Sequence, residues 1–333
     1  MPPTLRPPVR ARAARAASAA ARARATVFGL DICGARLPPL LELSRAAPTG
    51  RELQLDAGAP SDLRRALERD PQRRELCVRA GPDGRDCFRI DEHARSYVLW
   101  GQDRGSYMIA ARGDRLRLSP WGDAHTWQRF LVGQVLPFAA LLRGLEIFHA
   151  SAVSLDGGVV AFAGGSGAGK TSVALALCRL GARFVADDVL ALEVGPRGLL
   201  AHPGCPLAGL DRREAARLRL HDRIDFRRAL GGDQRELVLA VEGIREPQPL
   251  GALFLLERRA SGVGPPRFEA VEDPRALLAC TFNFVLDTSA RMLGLLEACA
   301  LVARRRVERV VVGPATDADQ LAGAVLERVA GSR

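Results

Sequence analysis

Residues 164–171 read Gly164-Gly165-Ser166-Gly167-Ala168-Gly169-Lys170-Thr171 and fit G-x-x-x-x-G-K-[ST]. The chemistry accounts for each residue type. Glycines let successive backbone N–H groups turn inward and approach a polyphosphate with no Cβ in the way. The helix that follows the loop directs its positive end at the same phosphates, and Ser172 at its start extends the binding set. Lys170 brings a compact, mobile ammonium to the outer phosphates, and the Thr171 hydroxyl suits Mg²⁺. Lys170 is also the only lysine in a chain with 48 Lys and Arg residues. The one ammonium stands where a phosphate ligand calls for a point charge and not for a planar fork. ATP or GTP binding is the expectation.

Two further groups can do chemistry. Asp187 and Asp188 follow a short apolar run, so they sit at a strand end, one helix after the phosphate loop. Adjacent carboxylates there point in different directions: one can hold metal-bound water while the other faces an acceptor hydroxyl. His149 lies in Phe148-His149-Ala150-Ser151-Ala152-Val153, on the stretch leading to the loop. Its imidazole can orient an acceptor or, protonated, stabilise charge on a transferring phosphoryl group. Glu257 ends an apolar run and reads more readily as a surface charge than as a metal-binding acid.

These groups need positioning. Residues 159–163 are apolar and read as a buried strand feeding the loop; 172–178 read as the helix leaving it. Asp156-Gly157-Gly158 is a hairpin signal, so 146–155 is expected as one strand running back, antiparallel, into 159–163. Strands are expected at 183–186, 190–194, 198–202, 237–241, 253–257 and 307–312, with helices at 274–283, 288–304 and 315–330. Before this half, segments 76–79, 87–90, 97–100, 107–110 and 115–118 alternate between turns and read as a small, mainly antiparallel sheet. A helix at 61–68 stands beside it, and an apolar helix at 126–142 follows. Trp121, His125 and Trp127 precede or open that helix and read as packing more readily than as a ligand site. The expected organisation is an Ala/Arg tail at 1–25, a β-rich domain at 26–143 and a nucleotide-binding domain at 144–333.

Composition bounds the class. The chain has 333 residues, 47% hydrophobic and 26% charged, as in ordinary globular proteins. A net charge of +10 invites nucleic acid, but the arginines are scattered and aromatics make up only 5%, so a base-stacking surface is not expected. The seven cysteines form no C-x-x-C pair, which points to reduced thiols and a cytoplasmic chain. No apolar run reaches the length of a membrane span, and neither a signal peptide nor a membrane partner is expected. A homo-oligomer is left open. The arginines at 212, 213, 217, 219 and 223 read as a solvated helix face or as phosphate and peptide contacts.

The stretch from His149 to Asp188 resembles the catalytic core of HPr serine kinase/phosphorylases, which share an ancestral core with phosphoenolpyruvate carboxykinases. The shared pattern is a His-Ala-Ser element on a strand, a hairpin, the phosphate loop, a helix, and then Gly-x-x-x-[VLI]-x-Asp-Asp. Here the last part reads Gly181-Ala182-Arg183-Phe184-Val185-Ala186-Asp187-Asp188. The resemblance implies an α/β fold and ATP- and Mg²⁺-dependent phosphorylation of a serine in a protein or peptide. Asp187 would be the general base, Asp188 and Thr171 would anchor Mg²⁺, and His149 and Lys170 would complete the catalytic set. The family's metal-binding glutamate after the aspartates and its Gly-Arg-Asn signature are both missing; 200–206 read Leu-Ala-His-Pro-Gly-Cys-Pro. These departures point away from HPr as acceptor and from the reverse reaction. A serine of a protein or precursor peptide is the favoured acceptor, with a small-molecule kinase or a non-catalytic nucleotide-binding regulator as alternatives.

Overall fold

Apolar side chains at every second position build the first sheet. The computed structural model describes residues 23–58, 71–196, 198–218, 229–231, 236–261, 264–271, 273, 275–282 and 289–331. Most of the tail at 1–25, the helix expected at 61–68, Arg219 and Arg223 fall outside these residues. Among the described residues the first sheet has strands β1 (Ala23–Val27), β2 (Leu30–Gly34), β3 (Glu52–Ala57), β4 (Arg74–Ala80), β5 (Asp86–His93), β6 (Ser96–Gly101), β7 (Gly105–Ala110) and β8 (Arg115–Ser119). Their order is β1-β2-β3-β8-β7-β6-β5-β4, with β2/β3 and β3/β8 parallel and the other pairs antiparallel. The five expected segments are β4 to β8. The first three strands were not expected, because two of their pairings join partners distant in sequence.

One face of this sheet buries Ile32, Leu53, Phe88, Ile90, Tyr107 and Leu116. It packs on α1 (Ala124–Phe130), a π-helical turn (Leu131–Val135) and α2 (Leu136–Leu142). Asp123 caps α1, accepting from Thr126 N at 2.9 Å. Pro137, which has no N–H to give, stands in the first turn of α2 directly after the widened turn. The same apolar core continues past residue 143 to include Leu145, Ile147, Val189, Cys205 and Leu207. The first sheet and the phosphate-loop half therefore share packing.

The second sheet comprises β9 (Glu146–Phe148), β10 (Ala150–Leu155), β11 (Gly158–Gly164), β12 (Arg183–Ala186), β13 (Leu190–Gly195) and β14 (Gly198–His202), together with three later strands. Between them come β15 (Leu207–Asp211), β16 (Ala229–Gly231) and β17 (Glu236–Ala240), which form a separate small sheet. The later three are β18 (Gln248–Arg258), β19 (Arg267–Ala270) and β20 (Arg306–Val312). The order runs β12-β10-β11-β18-β14-β13-β9, with β20 parallel to β18 and β19 antiparallel to β20. The hairpin expected before the loop is β10/β11, and its turn residues Asp156 and Gly157 both have positive φ (49° and 81°). β11 is buried on both faces: Val160 and Phe162 point into one core, Val159, Ala161 and Ala163 into the other. That double burial explains its unbroken apolar run.

The single strand expected at 146–155 is two strands. β9 pairs with β13, while β10 pairs with β11 and β12. The break falls at His149, whose N–H donates to the Cys280 carbonyl at 2.6 Å.

Helices α3 (Lys170–Arg179) and α7 (Ala318–Ala330) contribute to the core on one side of this sheet, and α6 (Ser289–Ala303) to the core on the other. Two short helices, α4 (Arg212–Arg217) and α5 (Arg275–Leu278), lie between α3 and α6 in the chain. The helix expected at 274–283 is described only as α5. That expected at 315–330 begins at Ala318, because Asp317 and Gln320 form a reciprocal capping box. All seven cysteines are free thiols. Among the described residues no helix is long and apolar enough to cross a membrane. The chain is a mixed α/β protein with large sheets and few helices.

Candidate active site

The loop is shaped by backbone approach. Gly164 ends β11 at φ +147°, and a Cβ there would lie 2.5 Å from the Leu256 carbonyl of the neighbouring β18. Only glycine fits that place. Gly169, at φ +97°, is the residue before α3 and turns the chain into the helix. Lys170 is 6% exposed, and its Nζ donates to the carbonyls of Gly164 and Gly165 at 3.0 and 3.1 Å. Gly165, Ser166 and Gly167 are exposed, whereas Ala168 is buried. Ser166, Gly167, Gly169, Lys170, Thr171 and Ser172 line a cavity of about 680 Å³. Arg213 and Arg217 of α4 line it too, and with Lys170 they bring cations to a wall that also carries Asp188, Asp211, Glu214, Glu236 and Asp317.

The two aspartates differ sharply. Asp187 Oδ1 accepts from Ser151 Oγ at 2.6 Å and from Thr171 Oγ1 at 2.7 Å, and its Oδ2 accepts from Gly209 N at 3.0 Å. Burial and the neighbouring Asp188 charge push its carboxyl up to about 6, against the pull of those three hydrogen bonds. Asp188 has φ +61°, and Val189 N closes a three-residue turn onto the Asp187 carbonyl at 2.8 Å. This backbone conformation is strained for a residue with a side chain. Among the described residues no hydrogen bond or ion pair engages the Asp188 carboxylate. The Asp188 carbonyl accepts from His149 Nδ1 at 2.9 Å, which leaves Nε2 as the ring's other face to the site. Thr171, expected to anchor Mg²⁺ together with Asp188, is hydrogen-bonded to Asp187.

A second cavity, of about 760 Å³, opens between the first half of the chain and the loop half. Its walls include Phe28, Arg104, His125, Arg129 and Phe282. The two cavities share His149, Asp188 and Glu236, so they meet at the unengaged carboxylate. Glu236 is held at this junction by Arg129 at 3.1 Å.

Several contributors were missed from the sequence. Ser151, the serine of the His-Ala-Ser element, and Gly209, which belongs to no motif, hold Asp187. Arg258, the last residue of β18, donates through Nη1 to the carbonyls of Gly313 and Thr316, both at 3.1 Å. Its Nη2 lies 3.6 Å from the Cβ position of Gly169, on the wall of the loop cavity. A basic residue closing the strand beside the loop strand was the available signal. Glu257, its neighbour, pairs outward with Arg259 at 3.1 Å and Arg309 at 3.6 Å. His125, read as packing, lines the second cavity; Trp127 packs against the core.

Magnesium takes oxygen ligands, of which the protein usually supplies only one or two. Thr171, Asp187 and Asp188 offer such a set. Among the described residues no cluster of three or more His, Cys, Asp and Glu makes a cage composed of protein alone. The donor chemistry fits the ion.

No family model matches the chain, and no curated protein matches it. Among solved structures it is similar to the HPr(Ser) kinase/phosphatase from Coxiella burnetii. Identity is 13%, 56% of this chain and 91% of that one are covered, and the TM-score is 0.30. At that TM-score the likeness carries no argument about activity.

Proposed function

We propose that this chain is an ATP-dependent kinase that transfers the γ-phosphoryl group to a hydroxyl, most simply a serine of a protein or precursor peptide. The observation that supports it best is the junction of two cavities at Asp188 and His149, one lined by the glycine loop and Lys170, the other open to an acceptor. The backbone N–H groups of residues 164–169 and the Lys170 ammonium hold the β- and γ-phosphates. Thr171 and Asp187, already joined by a hydrogen bond, are the residues that would hold Mg²⁺. When bound, the ion neutralises phosphate charge.

Asp188 is the better placed base, because three hydrogen bonds fix the Asp187 carboxylate and leave it one lone pair for the ion, whereas the Asp188 carboxylate is unengaged among the described residues. The acceptor oxygen forms its bond to the γ-phosphorus as the bond to the β-phosphate oxygen breaks, the electron pair leaving with ADP. The hydroxyl proton passes to the Asp188 carboxylate. His149, anchored through Nδ1, positions the acceptor through Nε2.

Incubation with γ-labelled ATP tests this reading. Label in a peptide supports it. Label in a low-mass product shifts the acceptor class to small molecules. Tight binding with no transfer leaves a nucleotide-binding regulator.

A further inference from the structure

The second cavity holds two cationic or donor groups with no task. The Arg104 guanidinium lies over the Phe130 ring, 5.6 Å from its centroid, and among the described residues no carboxylate pairs with it. His125 Nε2 is buried and has no hydrogen-bond partner. The two come from abutting segments: Gly122, three residues before His125, sits so tightly on the Asp103 carbonyl that a Cβ would collide with it. Apart from Asp188, the other charged side chains on these walls are engaged. Arg129 pairs with Glu236, and Asp123 is occupied with the amide of Thr126. Leaving polar groups unpaired inside a cavity is costly, and a ligand that pairs them recovers that cost.

We propose that Arg104 and His125 bind a carboxylate of the acceptor while its hydroxyl reaches Asp188. Both side chains line the cavity that holds Asp188, and a guanidinium fork and a ring nitrogen are donors that suit the two oxygens of a carboxylate. Asp123 and Glu236 on the same walls oppose a doubly charged group, which disfavours a phosphate. The substrate class is therefore a hydroxyl compound with a nearby carboxylate: a small hydroxy acid, or a serine flanked by acidic residues. The proposal rests on the phosphoryl-transfer reading, and in its step the hydroxyl oxygen gains the γ-phosphoryl group, its proton goes to Asp188, and the carboxylate stays unchanged.

Two matched pairs of probes distinguish the sources: D-glycerate against glycerol, and N-acetyl-Glu-Ser-Glu-amide against N-acetyl-Gln-Ser-Gln-amide, each with MgATP and the full chain. In one pair the acidic member is expected to accept label at least about tenfold faster than the neutral one. Arg104→Gln and His125→Gln should each shrink that preference, Arg104→Lys should keep part of it, and all three should retain the thermal shift with MgATP. Equal rates within both pairs, or no label in either pair while the MgATP shift persists, overturns the carboxylate assignment and leaves the phosphate loop standing. Loss of the MgATP shift in the unaltered chain overturns the kinase reading itself.

Discussion

Thr171 and Asp187 are joined by a 2.7 Å hydrogen bond that ties the first turn of α3 to the end of β12. The phosphate loop and the acidic strand end are thus one unit before any ligand arrives. Ser151 from β10 and Gly209 from β15 complete the hold, so three elements fix one carboxylate. Asp188, next in sequence, is turned out of that network by its positive φ.

This asymmetry predicts different outcomes for the two acids. Asp188→Asn should keep nucleotide affinity and lower transfer by about 10²–10⁴-fold, the range for loss of a general base. Asp187→Asn should also weaken the magnesium dependence of nucleotide binding. Titrating Mg²⁺ against nucleotide-induced thermal shift in each variant checks the division. An Asp188→Asn protein of normal activity would return the base to Asp187.

Arg258 should act on nucleotide binding. Two carbonyls pin its guanidinium beside Gly169, with Nη2 on the loop side. Arg258→Ala should weaken ATP and ADP by roughly ten- to hundredfold, as loss of a hydrogen bond to a charged group does. Adenosine, which carries no phosphate, should bind as before; calorimetry with the three ligands checks this.

Two glycines should respond in opposite directions. Gly164→Ala places a methyl against the Leu256 carbonyl at a φ that disfavours side chains, and should cost about 1–3 kcal/mol. Gly323→Ala, within α7 and with open space at its Cβ, should stabilise by about 0.5–1 kcal/mol. Urea midpoints measure both.

Glu146 sets a pH dependence away from the site. Burial pushes its carboxyl up to about 7, against the opposing Arg291 charge. The folded value lies above the unfolded one, so the group's contribution is complete in mild acid and is lost as pH rises through about 7. Glu146→Gln should therefore gain stability over the unaltered chain at alkaline pH, and the gain should fade as the buffer is made acidic. Melting temperatures of both proteins across that range decide it.

What the sequence disclosed was local. The strand–loop–helix around Lys170, the Asp156-Gly157 hairpin and the boundaries of β12 follow from short-range apolar patterning and turn chemistry. Which aspartate would meet Thr171 was hidden, because it depends on a single positive φ at Asp188 and on Ser151 and Gly209 arriving from other strands. The break at His149 was hidden for a similar reason: Phe148 and Ala150 are both apolar, and only their partners, β13 and β11, separate them. Arg104 and His125 belong to a wall that forms only when the first sheet and its helix pack on the loop half.

The most direct measurement uses the solitary lysine. An acyl-phosphate derivative of ATP transfers its acyl group to an amine held at the phosphate site, and Lys170 is the only lysine available. Peptide mapping should find the label on Lys170, and excess MgATP should prevent it. Label confined to the chain's terminal amine, or unaffected by MgATP, would contradict a nucleotide seated between the glycine loop and the two aspartates.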